Sequence, residues 1–78
     1  MNCNELKKRL KEKNVNPHDY SILSGIRYPN ECYCLIFEDG LWKYYYSERG
    51  NMTGLKEFTS ESEACEYFYS QVIRDMSY

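Results

Sequence analysis

The dipeptide Asp39-Gly40 is the feature that most constrains this chain. It lies between two runs of alternating side chains, and it accepts the positive φ angles of a two-residue type I′ turn. A turn of two residues fixes the register of the strands that it joins, so that Glu38 lies opposite Leu41 and the remaining pairs follow in order. The sequence therefore predicts one β-hairpin over residues 31–50.

Because side chains alternate along a strand, directly opposed residues of this hairpin share a face. One face is strongly apolar and is expected to form the core, with Tyr33, Leu35, Phe37, Trp42, Tyr44 and Tyr46. The other face is mixed and is expected to meet solvent or a partner, with Cys32, Cys34, Ile36, Glu38, Leu41, Lys43, Tyr45 and Ser47.

An amphipathic segment precedes the hairpin. Residues 4–13 predict a helix that Asn4 caps. Cys3, Leu6 and Leu10 have the spacing of an apolar stripe on one side of that helix. The stripe is expected to pack on the sheet.

A second helix is predicted at the end of the chain. Ser60 and Glu63 have the spacing of a capping box. An apolar stripe with helical spacing follows, formed by Ala64, Cys65, Phe68 and Val72.

The segments between these elements are short. Residues 20–23 predict a strand, residues 47–54 are polar with two glycines and predict a loop, and residues 55–58 are either a fourth strand or irregular. The predicted fold is α+β. It is a two-layer sandwich in which a three- or four-stranded antiparallel sheet carries an N-terminal and a C-terminal helix on one face, as a single domain of residues 1–78.

The charge of the chain is divided unevenly. Residues 1–13 carry five Lys and Arg against two Glu, whereas residues 14–78 carry five against ten Asp and Glu. The acidic body disfavours a nucleic-acid ligand and suits a basic protein partner. The sequence shows neither a signal-peptide pattern nor a membrane-length apolar run, so a cytoplasmic protein with reduced thiols is expected.

Catalytic and metal-binding patterns are not apparent. There is no phosphate-binding glycine loop, and His18 is the only histidine, beside Pro17. Cys32 and Cys34 lack the spacing of a zinc-ligand pair. We therefore expect no enzyme, no cofactor and no metal, with Cys3 and Cys65 as small buried apolar residues.

One alternative is a nucleic-acid-binding domain that uses the basic first helix. The predicted order of helix, three strands and helix is that of double-stranded-RNA-binding domains, which place lysines at the start of the second helix to meet phosphates. Here that position has Glu61, Glu63 and Glu66. These carboxylates would repel phosphate, so the charges oppose the alternative that the order of elements suggests.

Three segments resemble small immunity proteins of bacterial polymorphic toxin systems. They are Glu31-Cys32-Tyr33, residues 42–50 (WKYYYSERG) and residues 63–68 (EACEYF), within a similarity that covers roughly residues 15–72. The resemblance implies a bacterial inhibitor that binds a cognate toxin domain, often a nuclease, and it implies no catalytic residues.

The surface expected to bind this partner is the mixed hairpin face and the hairpin ends. Its tyrosine and charged residues are typical of interfaces. The residues expected to contact the toxin are Glu38, Asp39, Lys43, Tyr45 and Glu48. A small module that forms a homodimer through the same face is a further alternative.

Overall fold

A computed structural model describes residues 1–16, 19–23, 31–49 and 51–75. Its elements, in chain order, are α1 (Cys3–Glu12), β1 (Tyr20–Ile22), β2 (Cys32–Glu38), β3 (Leu41–Glu48), β4 (Asn51–Phe58) and α2 (Glu61–Asp75). The strands form one sheet in the order β1-β2-β3-β4, which is mostly antiparallel. The predicted α+β arrangement with a helix at each end is confirmed.

The core lies between the two helices and the aromatic face of the sheet. Leu6 and Leu10 of α1 and Phe68 of α2 are fully buried, and they belong to one cluster with Leu35 and Tyr44 of the hairpin. Edge-to-face contact joins Tyr44 and Phe68, with ring centroids 5.8 Å apart. Both helices therefore lie on the face that the sequence predicted.

The register of the central hairpin is also confirmed. β2 and β3 pair antiparallel from Glu38 opposite Leu41 to Cys32 opposite Ser47. Asp39 and Gly40 have φ angles of 54° and 78°, as a two-residue type I′ turn requires.

The first pair of strands differs from the antiparallel expectation, because β1 runs parallel to β2, with Tyr20 beside Tyr33 and Ile22 beside Leu35. A strand of three residues has too little pattern to specify its direction. That direction depends on the path of the chain between β1 and β2.

The predicted loop over residues 47–54 is wrong. β3 continues to Glu48 and β4 begins at Asn51, so most of this segment is paired strand. The strand was missed because β4 is an exposed edge strand with no apolar alternation. A bulge sets Gly54 and its neighbour against one residue of β3, and Gly54 has a φ of 65° that such bulges favour.

The helix caps are partly as predicted. α1 begins earlier than expected because Asn2, rather than Asn4, is the cap, and its Oδ1 accepts a hydrogen bond of 2.8 Å from the Glu5 N–H. At α2, Oγ of Ser60 accepts a hydrogen bond of 3.4 Å from the Glu63 N–H, which confirms that cap. Pro17 and His18 lie outside the described residues.

Candidate functional site

Three of the five predicted contact residues lie together at the tip of the hairpin. Glu38 and Asp39 are exposed at the turn. The ammonium of Lys43 is 3.1 Å from Oε1 of Glu38 and 3.8 Å from Oε2 of Glu57 on the neighbouring strand. The tip is therefore acidic, with one cation held between two carboxylates.

Phe37 at the same tip is not in the core, where the sequence placed it. Its side chain is 53% exposed, although Leu35, two residues earlier on the same face, is fully buried. The ring lies against Trp42, with centroids 4.8 Å apart. The helices thus cover Leu35 but not Phe37, and the Phe37–Trp42 pair lies beside the acidic turn.

Tyr45 does not have the exposure expected of it. It is buried at 6% exposure in a second small cluster, with Cys32 and Cys34, on the sheet face opposite the helices. The prediction assumed that a face without helices is open, and the burial of this cluster shows that this part of the face is covered. Tyr45 therefore offers little surface to a partner.

Glu48 lies at the other end of the hairpin. It is the last residue of β3, seven residues beyond Leu41, which places it roughly 23 Å from the tip at the usual rise of a strand. The structure therefore does not bring Glu48 together with Glu38 and Asp39.

A groove of about 430 Å³ runs between α2 and β4, on the helical side of the sheet. Tyr33, Tyr44 and Tyr46 form its floor, and Lys56 and Gly54 line it from β4. The absence of a side chain at Gly54 leaves open space there, because a Cβ atom at this position would meet nothing within 4 Å.

The helical wall of the groove comes from one side of α2. Tyr67, Gln71 and Asp75 are spaced four residues apart, so they lie above one another beside the buried stripe. The ring of Tyr67 meets Tyr44 edge to face, with centroids 5.0 Å apart. The wall is therefore continuous with the aromatic floor.

One carboxylate, that of Asp75, lines the groove together with the ammonium of Lys56. The hydroxyl of Tyr33 donates a hydrogen bond of 2.7 Å to Oδ2 of Asp75. Burial and this carboxylate raise the pKa of Tyr33 well above its ordinary value. Because Asp75 is also the last residue of α2, its charge adds to the negative end of the helix dipole.

Three further carboxylates act through their charge on the neighbouring tyrosine. The pKa of Tyr46 is raised by burial and then by the negative charges of Glu31, Glu48 and Asp19. The rings of Tyr33 and Tyr46 are in edge-to-face contact, with centroids 5.0 Å apart. The charges of carboxylates from four separate parts of the chain thus act on one tyrosine pair, and Glu48 is the only one of these four that the sequence singled out.

The sequence contained one signal for this groove. Tyr67, Gln71 and Asp75 form a second stripe on α2, next to the apolar one, but nothing in the sequence distinguishes this stripe from an ordinary helix flank. The residues opposite this stripe include residues of β4, and the sequence did not predict how far that strand extends.

A separate group of potential metal ligands lies where the two helices begin. The side-chain ligand atoms of Cys3, Glu61 and Cys65 are all within 4.8 Å of one another. This group is distant in sequence from Cys32 and Cys34, the pair considered for a metal above.

The order of elements also bears on the double-stranded-RNA alternative. In the part of the chain that the structure describes, four strands lie between the two helices, and the first two strands are parallel. This differs from the order of helix, three strands and helix that suggested the alternative.

Comparison with known proteins found no match, either among family models, among curated proteins or among solved structures. Within the described residues, neither helix is long and apolar enough to cross a membrane.

Proposed function

We propose that this protein is a small immunity protein that binds a bacterial toxin domain and neutralises it. In this proposal the groove between α2 and β4 receives a basic side chain of the toxin. The observation that carries the proposal is the carboxylate of Asp75, which lines the groove and binds Tyr33 beside Tyr46, whose pKa the charge of Glu48 also raises.

The chemistry of the groove suits a lysine or arginine. Aromatic faces attract cations, and a carboxylate at the end of a helix adds to the negative potential of the dipole. The carboxylate of Asp75 lies beside the tyrosine floor and at the negative end of the α2 dipole. A cation from a partner would relieve the mutual repulsion of Asp75 and the helix end.

The hairpin tip provides a second contact of a different kind. Phe37 offers an exposed ring supported by Trp42, and the exposed residues Glu38 and Asp39 follow it in the chain and carry negative charge at the same tip. An aromatic anchor within a charged rim is typical of energetically important interface positions. A stable interface buries about 800 Å² on each partner. Binding of the toxin therefore needs both the groove and a second surface such as the hairpin tip.

The charge of the body supports a basic partner of the nuclease class. Nucleases bind phosphate, so their active surfaces carry Lys and Arg. An acidic inhibitor is attracted to such a surface at long range and accelerates its own association. The same carboxylates repel nucleic acid, which argues against a nucleic-acid-binding function for this groove.

The proposal can be tested in cells. The reading frame directly upstream of the gene is expected to encode a large protein whose C-terminal domain stops growth when it is expressed alone. Co-expression of the present protein should restore growth, and the two purified proteins should elute together in a 1:1 complex. A harmless upstream domain, or a toxic one that remains toxic and does not bind, would contradict the proposal.

Charge reversal locates the surface. Asp75→Lys should abolish protection if the groove binds the toxin, whereas Glu5→Lys, on the exposed side of α1, should leave protection intact. Full protection by Asp75→Lys would place the toxin elsewhere on the protein. Light scattering of the free protein separates this function from the homodimer alternative, because a monomeric mass excludes the dimer.

A further inference from the structure

Two cysteines that are far apart in the sequence meet at the point where both helices begin. Sγ of Cys3 is 3.8 Å from Sγ of Cys65, and both residues are buried. Cys3 is the first residue of α1, and Cys65 lies one turn inside α2. The pair therefore connects the two helices directly.

A carboxylate completes this cluster. Glu61 lies four residues before Cys65 on α2, so the two side chains point to the same side of the helix. The backbone N–H of Cys3 donates a hydrogen bond of 3.0 Å to Oε2 of Glu61, which orients the carboxylate toward the thiols. The second carboxylate oxygen does not take part in that hydrogen bond.

The spacing of these atoms fits one class of ligand. Two thiolates on a tetrahedral zinc ion, each about 2.3 Å from the metal, are about 3.8 Å apart. The two thiols share a hydrogen bond whose Sγ–Sγ separation has this same value, and the three ligand atoms lie within 4.8 Å of one another. A disulfide would instead require the sulfurs to approach to about 2.05 Å.

We propose that Cys3, Cys65 and Glu61 form a binding site for a thiophilic divalent cation of the Zn²⁺ type, with solvent as the fourth ligand. Two sulfur ligands and one carboxylate select Zn²⁺ over Mg²⁺ or Ca²⁺, which prefer oxygen ligands alone. The bound cation joins the first turn of α1 to the first turn of α2. The site thereby supplies a small domain with a cross-link between its chain ends.

The hydrogen bond from Cys3 gives the site its orientation. Ligands of a metal are usually held by a second group, and loss of such a group weakens binding by about 10- to 100-fold. Here the backbone of one ligand residue holds the side chain of another, so docking of α1 on α2 also arranges the carboxylate. Metal binding and helix docking are expected to reinforce each other.

Co²⁺ is a suitable probe because thiolate coordination gives it strong charge-transfer absorption, and a tetrahedral site gives intense visible bands. The reduced full-length protein should bind one Co²⁺ with both signals, and Zn²⁺ should displace the Co²⁺ and raise the melting temperature. Cys3→Ser and Cys65→Ser should lose the charge-transfer absorption. The matched Cys32→Ser and Cys34→Ser variants, whose thiols lie on the opposite face of the sheet, should retain it.

Glu61→Gln is the decisive variant, because it preserves an oxygen that can accept the Cys3 hydrogen bond. Unlike the cysteine variants, it does not change a residue of the buried core. Its affinity for Co²⁺ should fall by at least about tenfold, because a direct carboxylate ligand is lost and even a change in a group that only supports a ligand costs about 10- to 100-fold. Glu63→Gln, an exposed change in the same turn, is the control. Absence of charge-transfer bands in the wild-type protein, or equal affinities of the Glu61 and Glu63 variants, would overturn the proposal.

Discussion

The hydroxyl of Tyr33 donates a 2.7 Å hydrogen bond to Oδ2 of Asp75, and this bond joins the middle of the sheet to the last residue of α2. Tyr33 is buried at 8% exposure, so its hydroxyl depends on this carboxylate for a strong partner. The bond also fixes the charge of Asp75 at the end of the groove. One interaction therefore serves both the packing of α2 and the electrostatics of the proposed site.

Tyr33→Phe should lower the free energy of unfolding by about 1.5–3 kcal/mol, the usual contribution of a hydrogen bond to a charged group. Urea denaturation measures this change. Tyr69→Phe is the control, because among the described residues the hydroxyl of Tyr69 has no hydrogen-bond partner. Equal stabilities of the Tyr33 and Tyr69 variants would show that the bond contributes nothing.

A second prediction concerns alkaline pH. Burial, together with Cys34 and Asp19, raises the pKa of the Cys32 thiol to about 12. In the unfolded chain a thiol titrates near pH 8.5. Because the folded state favours the neutral thiol, its contribution to stability is complete below about pH 8.5. That contribution is lost as the pH rises toward 12, by up to about 1.4 kcal/mol per pH unit.

This loss can be assigned to Cys32 by substitution. Unfolding free energies of Cys32→Ala should depend less steeply on pH between 9 and 11 than those of the wild-type protein, by about one proton. The other buried thiols and tyrosines account for the slope that remains. Identical slopes in the two proteins would contradict the raised pKa.

The contrast between the two hairpins shows what a sequence pattern determines. The turn at Asp39 and Gly40 and the aromatic alternation around it fixed every pair of the β2–β3 hairpin, because register follows from turn length. β4 has neither property, since its side chains are exposed and its pairing includes a bulge at Gly54. A polar edge strand is stabilised by backbone pairing with its neighbour, which leaves little trace in the sequence.

The candidate site was less predictable than the fold. Contacts such as Tyr33 with Asp75, 42 residues apart, and Cys3 with Cys65, 62 residues apart, depend on how α2 crosses the sheet. Local patterns cannot specify such a crossing. The same crossing determines which side chains at the strand ends are covered by helix. The sequence does not show this, and therefore it predicted Phe37 in the core.

The bulge at Gly54 leads to a third prediction. Gly54→Ala should destabilise the protein by about 1–2 kcal/mol, because a residue with a Cβ atom is strained at a φ of 65°. No clash contributes, since a Cβ atom there would meet nothing within 4 Å. Gly54→Asn should cost less, because Asn tolerates the left-handed conformation. Thermal denaturation of the two variants tests this order, and equal losses would exclude backbone strain as the cause.

Ser47 offers a substitution that should stabilise the protein. The residue is fully buried opposite Cys32, and its Oγ has no hydrogen-bond partner among the described residues. A buried hydroxyl without a partner costs about 1–3 kcal/mol, so Ser47→Ala should increase the free energy of unfolding by an amount of this order. In Ser70→Ala, which removes a bond of 2.8 Å to the Tyr67 carbonyl, no gain is expected. A destabilised Ser47→Ala protein would mean that the hydroxyl is satisfied.

The final prediction uses the two opposite charges that line the groove, Asp75 and Lys56. If a basic side chain of the toxin enters the groove, Asp75→Asn removes an attraction and Lys56→Ala removes a repulsion. Asp75→Asn should therefore weaken binding of the toxin domain about tenfold, whereas Lys56→Ala should strengthen it severalfold, and both effects should shrink as salt is added. Calorimetry at low and high salt measures these affinities, with Glu5→Gln as a control far from the groove. If both variants weakened binding, the groove would still contact the toxin but would not bind a cation, because a cationic ligand should bind more weakly to Asp75→Asn and more tightly to Lys56→Ala.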